Sequence, residues 1–150
     1  MPARYKSRQR ALQVLFQCDL REMEAREGVR AYYESLYLEE GDETPEQDRF
    51  MEVLVDGTIL FLPRCDDLIT RHSANWRIER MPLVDRNILR MAIYEMLEVG
   101  TPAPVVIDQA IELARRFSGE ESVPFVNGVL DAIRREQAAR PTADPTQSEA

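Results

Sequence analysis

The chain has 150 residues, enough for one packed core and too few for two full-sized domains, so its function is expected on a single compact unit. Its composition, 44% hydrophobic and 31% charged, is ordinary for a globular protein, and no apolar run approaches the roughly 20 residues that cross a bilayer, which argues against a membrane role. The net charge of −8 argues against a polyanionic partner until its distribution is considered: Arg4, Lys6, Arg8 and Arg10 lie in the first ten residues without a carboxylate, while acids crowd between Asp19 and Glu52.

In chain order, Ala11, Leu12, Leu15, Phe16 and Leu20 recur at spacings of three and four, the stripe of an amphipathic helix starting near Ser7. Gly28 is expected to interrupt it before a second helix carrying Val29, Tyr32, Tyr33, Leu36 and Tyr37. The run Glu39 to Glu43 reads as a charged loop, with Thr44 capping a third helix and Pro45 at its first position. That helix runs through Phe50, Val53, Leu54, Ile59 and Leu60 toward Ile69, and Pro63 predicts a break near Leu62. A connector from Ser73 to Arg80 carries Trp76, and a fourth helix from about Pro82 ends at Gly100. After Thr101-Pro102, a fifth helix runs to Phe117 and closes at Ser118-Gly119. Ser122 is expected to cap a sixth, with Pro124 in its first turn.

Asn127-Gly128 would suit a hairpin, but its flanks keep helical spacing. Gly128 instead suggests that another backbone packs closely there. No segment alternates with period two, so the expected class is all-α. The expected organisation is a basic arm over 1–10, a helical domain over 7–137 and a disordered tail over 138–150.

The basic start lacks an apolar run with a cleavage site, so it does not read as a secretory signal, and the cytoplasm is the expected location. Cys18 and Cys65 are far apart and read as reduced thiols. His72, the single histidine, has no histidine or cysteine nearby, so no metal or cofactor is expected. No Gly-rich phosphate loop or nucleophile–base set is evident, which speaks against an enzyme.

Four constellations remain. The first is the basic start: either a solvated tail or a phosphate-tracking arm leading to Gln13, Phe16 and Gln17, which could meet bases by hydrogen bonding and stacking. Phe117 and Phe125 bracket a polar corner containing Glu121, which reads either as two core aromatics or as a stacking platform. The run Arg77 to Arg90 is either a capped helix with solvated charges or a partner surface with an apolar centre and charged rim. Asp108 and Glu112, one helical turn apart, could hold a metal, but Arg115 stands where a di-iron helix needs histidine. Glu112 more simply pairs with Arg115 or Arg116.

Four segments in order resemble the NusB family. Arg10-Ala11-Leu12-Gln13-Val14-Leu15-Phe16-Gln17-Cys18-Asp19 is similar to its opening helix. Trp76 with the run Met81 to Glu95 resembles its central helix. The stretches Thr101-Pro102 through Ala114, and Phe125 to Asp131, resemble its last two helices. The resemblance implies two packed helical bundles and a job: binding the boxA element of nascent ribosomal RNA, a single-stranded RNA, together with NusE, the small-subunit ribosomal protein S-ten, within an RNA polymerase antitermination complex. Carried over, the RNA surface would combine Arg4, Lys6, Arg8, Arg10, Gln13, Phe16 and Gln17 with Phe117, Glu121 and Phe125. The NusE surface would include Glu79 and Asp85. Some relatives form homodimers, and the residues leave that state open. The alternative from another class is a helical protein–protein module without RNA. Gln109 departs from the family's usual glutamate, the arm is less arginine-dense than in many members, and Pro63 interrupts helix three. The RNA reading requires the first helix to lie beside the bend after Phe117.

Overall fold

In a computed structural model, which describes residues 3–40, 46–74 and 76–140, the chain forms seven α-helices and no strand among those residues. They are α1 (Arg4–Arg21), α2 (Ala25–Glu40), α3 (Arg49–Leu60), α4 (Leu62–His72), α5 (Leu83–Tyr94), α6 (Ala103–Phe117) and α7 (Val123–Ala139), with short 3₁₀ turns at Ile78–Arg80 and Glu120–Ser122. An N-terminal group packs α1 against α2 and α3, and a C-terminal group packs α5, α6 and α7 together with α4. Helix α5 touches both groups, and a single buried cluster from Ala11 to Ile133 runs through them.

The basic segment is not a separate arm: α1 is already helical at Arg4, so Arg4 to Arg10 form its first two turns. Those turns hold no acid of their own and no side-chain cap, an arrangement that disfavours the helix start. Carboxylates from elsewhere offset this. Asp48 accepts from the Ser7 hydroxyl at 2.8 Å and from Arg10 at 3.2 Å, and Glu95 accepts twice from Arg8.

Gly28 does not end the first helix. The chain turns at Glu22, which adopts a left-handed conformation with φ 54°, and Gly28 lies buried inside α2. A methyl group there would collide with the Cys18 sulfur, so this glycine permits α1 and α2 to approach closely. The expected cap at Thr44 lies outside the described residues; within them, α3 is capped by Asp48, whose carboxylate accepts from the Met51 N–H at 3.0 Å. The break at Pro63 is present, with α3 ending at Leu60 and Pro63 in the first turn of α4.

Asn127-Gly128 sits within α7, as the helical spacing indicates, but the close backbone expected at Gly128 is absent. The residue is exposed, and nothing lies within 4 Å of where its side chain would start. Ser122 does not cap α7 either; its hydroxyl is spent on Asp85. The first two residues of the expected tail, Ala138 and Ala139, belong to α7, and 141–150 lie outside the described residues.

Helix α5 is fixed by a polar lattice. Asp19 of α1 takes two hydrogen bonds from Arg86 at 2.7 Å, one from Asn87 and one from Arg90, and Arg90 also makes a two-pronged pair with Asp66 of α4. Burial alone would raise the Asp19 carboxyl, but the hydrogen bonds from Arg86 and Asn87 and the charge of Arg90 outweigh it and hold its pKa below the ordinary value.

Two stability outcomes follow. Gly128→Ala should stabilise the protein by up to about 1 kcal/mol, a rise of about 2–4 °C in melting temperature, because it adds helix propensity in open space. Asp19→Asn should cost about 1–3 kcal/mol at pH 7. A lowered folded-state pKa gives stability that is present above the unfolded value near 4 and lost as pH falls through the folded value. The gap between wild type and variant in denaturant titrations should therefore begin to narrow near pH 4 and close only below the folded value.

Candidate functional site

Helical periodicity sorts the four cations of α1 into pairs. Residues four apart share a face and residues two apart lie on roughly opposite ones, so Arg4 goes with Arg8 and Lys6 with Arg10. Arg4 stands 4.1 Å above the Phe50 ring, and Arg8 lies 5.5 Å from the same ring. Arg8 is buried, at 5% exposure, and its guanidinium grips Glu95 at 2.6 and 2.8 Å, with Gln109 accepting a further bond at 3.4 Å. The expectation that Arg8 meets phosphate is therefore corrected. Its charge is consumed inside the protein.

Lys6 and Arg10 face an open groove of about 500 Å³ between α1 and the end of α6. Gln9, Gln13, Phe16 and Gln17 continue its α1 wall, Tyr32 and Val84 lie on it, and Arg116 and Phe117 close its other side. Phe117 is 46% exposed, unusual for so large an apolar ring, and the Arg116 guanidinium sits 5.5 Å from its centre. Arg10 spends one nitrogen on Asp48, and its buried Nε has no partner. Lys6 and Arg116 take part in no ion pair among the described residues. The groove thus presents cationic donors, amide groups and an exposed aromatic ring along one helix face, the inventory that suits an unpaired nucleic-acid strand.

The first helix and the bend after Phe117 are brought together as the sequence reading required, but the two phenylalanines are not. Phe125 packs against Trp76, with centroids 5.8 Å apart, and lines a separate cavity of about 390 Å³ with Pro82, Asp85, Ser118, Glu121 and Ser122. The single two-phenylalanine platform is corrected to two surfaces. Asp85 is also not an exposed contact. It is 4% exposed and accepts from Ser118 at 2.5 Å and from Ser122 at 3.1 Å, bracing the loop that joins α6 to α7. Glu79 is exposed on the 3₁₀ turn preceding α5.

Arg116, Tyr32 and Gln9 were missed by the sequence reading. Arg116 was discounted as a partner for Glu112, but Arg115 takes that role, at 2.6 Å, and also binds Glu120. Glu112 is thus in the simple helical ion pair, and Asp108 is exposed. Both cysteines are buried free thiols, and burial pushes Cys65 up to about 12. His72 is engaged with Glu136 of α7 at 2.6 Å.

The division between Arg8 and Lys6 can be measured. Arg8→Ala should destabilise the fold by about 3–5 kcal/mol, because it strands the Glu95 carboxylate in the interior. Lys6→Gln should leave the unfolding midpoint within about 0.5 kcal/mol of wild type. Equal effects of the two in chemical denaturation would contradict this assignment.

Comparison with known proteins adds a family relationship. Residues 5–135 match the NusB family. The chain is 57% identical over 147 residues to the transcription antitermination protein NusB of Solibacter usitatus, with 98% of each chain covered. Its fold is similar to that of T. maritima NusB, with a TM-score of 0.77, 32% identity and 99% of each chain covered. It is also similar to a crystal structure of the antitermination factors NusB and NusE in complex with double-stranded RNA, with a TM-score of 0.74 and 27% identity over 90% of this chain and 99% of that one.

Proposed function

Because the chain belongs to the NusB family of transcription antitermination proteins, we propose that its α1–α6 groove holds boxA-type single-stranded RNA while a second surface docks NusE. The supporting observation is the groove itself: Lys6, Arg10 and Arg116 supply charge, Gln13 and Gln17 supply base-edge donors and acceptors, and Phe16 and Phe117 supply rings, all on one cavity. Arg4, exposed beside the same helix start, adds to the field without lining the groove.

NusE is assigned to the face around Trp76, Glu79, Glu121 and Phe125, an exposed aromatic centre with a charged rim. Asp85 contributes from beneath by holding Ser118 and Ser122 in place. The protein acts by binding rather than by chemistry: it brings nascent RNA and the ribosomal protein together on an RNA polymerase antitermination complex, in the cytoplasm where that RNA is made.

The test is a gel shift with boxA-type RNA, with a scrambled RNA as control, each with and without NusE. Three groove cations give a log–log salt slope of about −2 for a single strand, hence about a twenty-fold loss of affinity between 50 and 200 mM salt. Phe117→Ala should cost about 1–3 kcal/mol of binding. Affinity indifferent to salt and to Phe117, with NusE still bound, would favour a purely protein–protein module.

A further inference from the structure

The groove does not stop at Gln17. Gln13, Gln17 and Tyr32 also line a second cavity of about 230 Å³ between α1 and α2, so the two adjoin along the helix. Its lining includes the backbone of Gly28, against which Cys18 and Val14 pack, and the exposed Ala31 one turn further along α2. Arg21, the last cation of α1, lies at its margin, exposed and in no ion pair among the described residues. From Lys6 to Arg21 the helix advances about 22 Å, at 1.5 Å per residue, far enough for the path to accept several nucleotides.

We propose that this second cavity is a nucleotide subsite on the same RNA path, with one base entering against Tyr32 and the small, exposed Ala31, the Gln17 amide meeting its edge and Arg21 holding the adjoining phosphate. The inference rests on the RNA reading of the first groove and extends it by one compartment. The chemistry suits an unpaired base: about 230 Å³ is room enough for one, and an amide with a guanidinium match the mixed donors and acceptors of a base edge and backbone better than they match an aliphatic side chain. A duplex, whose bases are stacked and paired, could not insert one there.

The experiment is a fluorescence-anisotropy titration of the full chain with a boxA-type oligonucleotide, lengthened one nucleotide at a time from either end. Wild type, Ala31→Trp, Arg21→Gln and Lys6→Gln are compared, each checked for an unchanged helical circular dichroism spectrum. Wild type should show a step of at least about five-fold in affinity at one added nucleotide, the lower end of what a stacked base contributes. Ala31→Trp fills the cavity without altering charge and should erase that step while leaving the short RNA bound as before. Arg21→Gln should reduce the step and flatten the salt slope for the longer RNA by about 0.7.

No step in wild type, or the same step in Ala31→Trp, would overturn the subsite. If Lys6→Gln still weakened the short RNA in that case, the first groove would stand without its extension. If Lys6→Gln left the short RNA unaffected, the RNA reading of the groove would fail and the subsite with it.

Discussion

The pairing of Arg8 with Glu95 sets the orientation on which the candidate site depends. Two charges at 5% and 1% exposure lose most of their hydration, and a pair of this kind gives little net stability over apolar residues of the same size. What it provides is phase. Once Arg8 is turned inward, the helix period turns Lys6 and Arg10 toward the opposite side, and Gln13, Phe16 and Gln17 follow along the same wall. Glu95 opens a wide turn at Glu95–Val99 that ends where the Gly100 N–H bonds to the Glu95 carbonyl at 3.0 Å, with Gly100 at φ 84°. One residue therefore closes the central helix and fixes the rotation of the first.

Helix α5 carries the rest of the arrangement. Through Arg86, Asn87 and Arg90 it binds α1 at Asp19, through Arg90 it binds α4 at Asp66, and through Asp85 it holds the loop between α6 and α7. That loop is a partition. Phe117 on one side lines the groove against α1, and Ser118 and Ser122 on the other line the cavity with Trp76 and Phe125. The two proposed docking surfaces thus share a wall that is fixed from beneath by a single carboxylate.

The helical class and the break at Pro63 were legible because apolar periodicity and proline chemistry are local signals, whereas the closeness of α1 to the Phe117 bend was only a condition that the RNA reading imposed. Gly28 and Gly128 were read in the wrong places because a glycine inside a helix looks alike whether another helix presses on it, as Cys18 and Val14 do on Gly28, or nothing does. The fate of Arg8 and Asp85 was illegible for a different reason. Their partners lie 87 and at least 33 residues away in sequence, and only the packed structure shows which charges are already satisfied. Arg116 was hidden by its neighbour, since either of two adjacent arginines could be assigned to Glu112 until the helix phase chose Arg115.

Several arginines are spent on the protein's own carboxylates, whereas Lys6 and Arg116 in the groove are in no ion pair among the described residues. With Arg8, Arg86, Arg90, Arg115 and Arg134 facing carboxylates, the groove cations stand out on a chain whose net charge is −8. A groove with its own cations on a net-acidic chain trades general stickiness toward nucleic acid for a preferred angle of arrival.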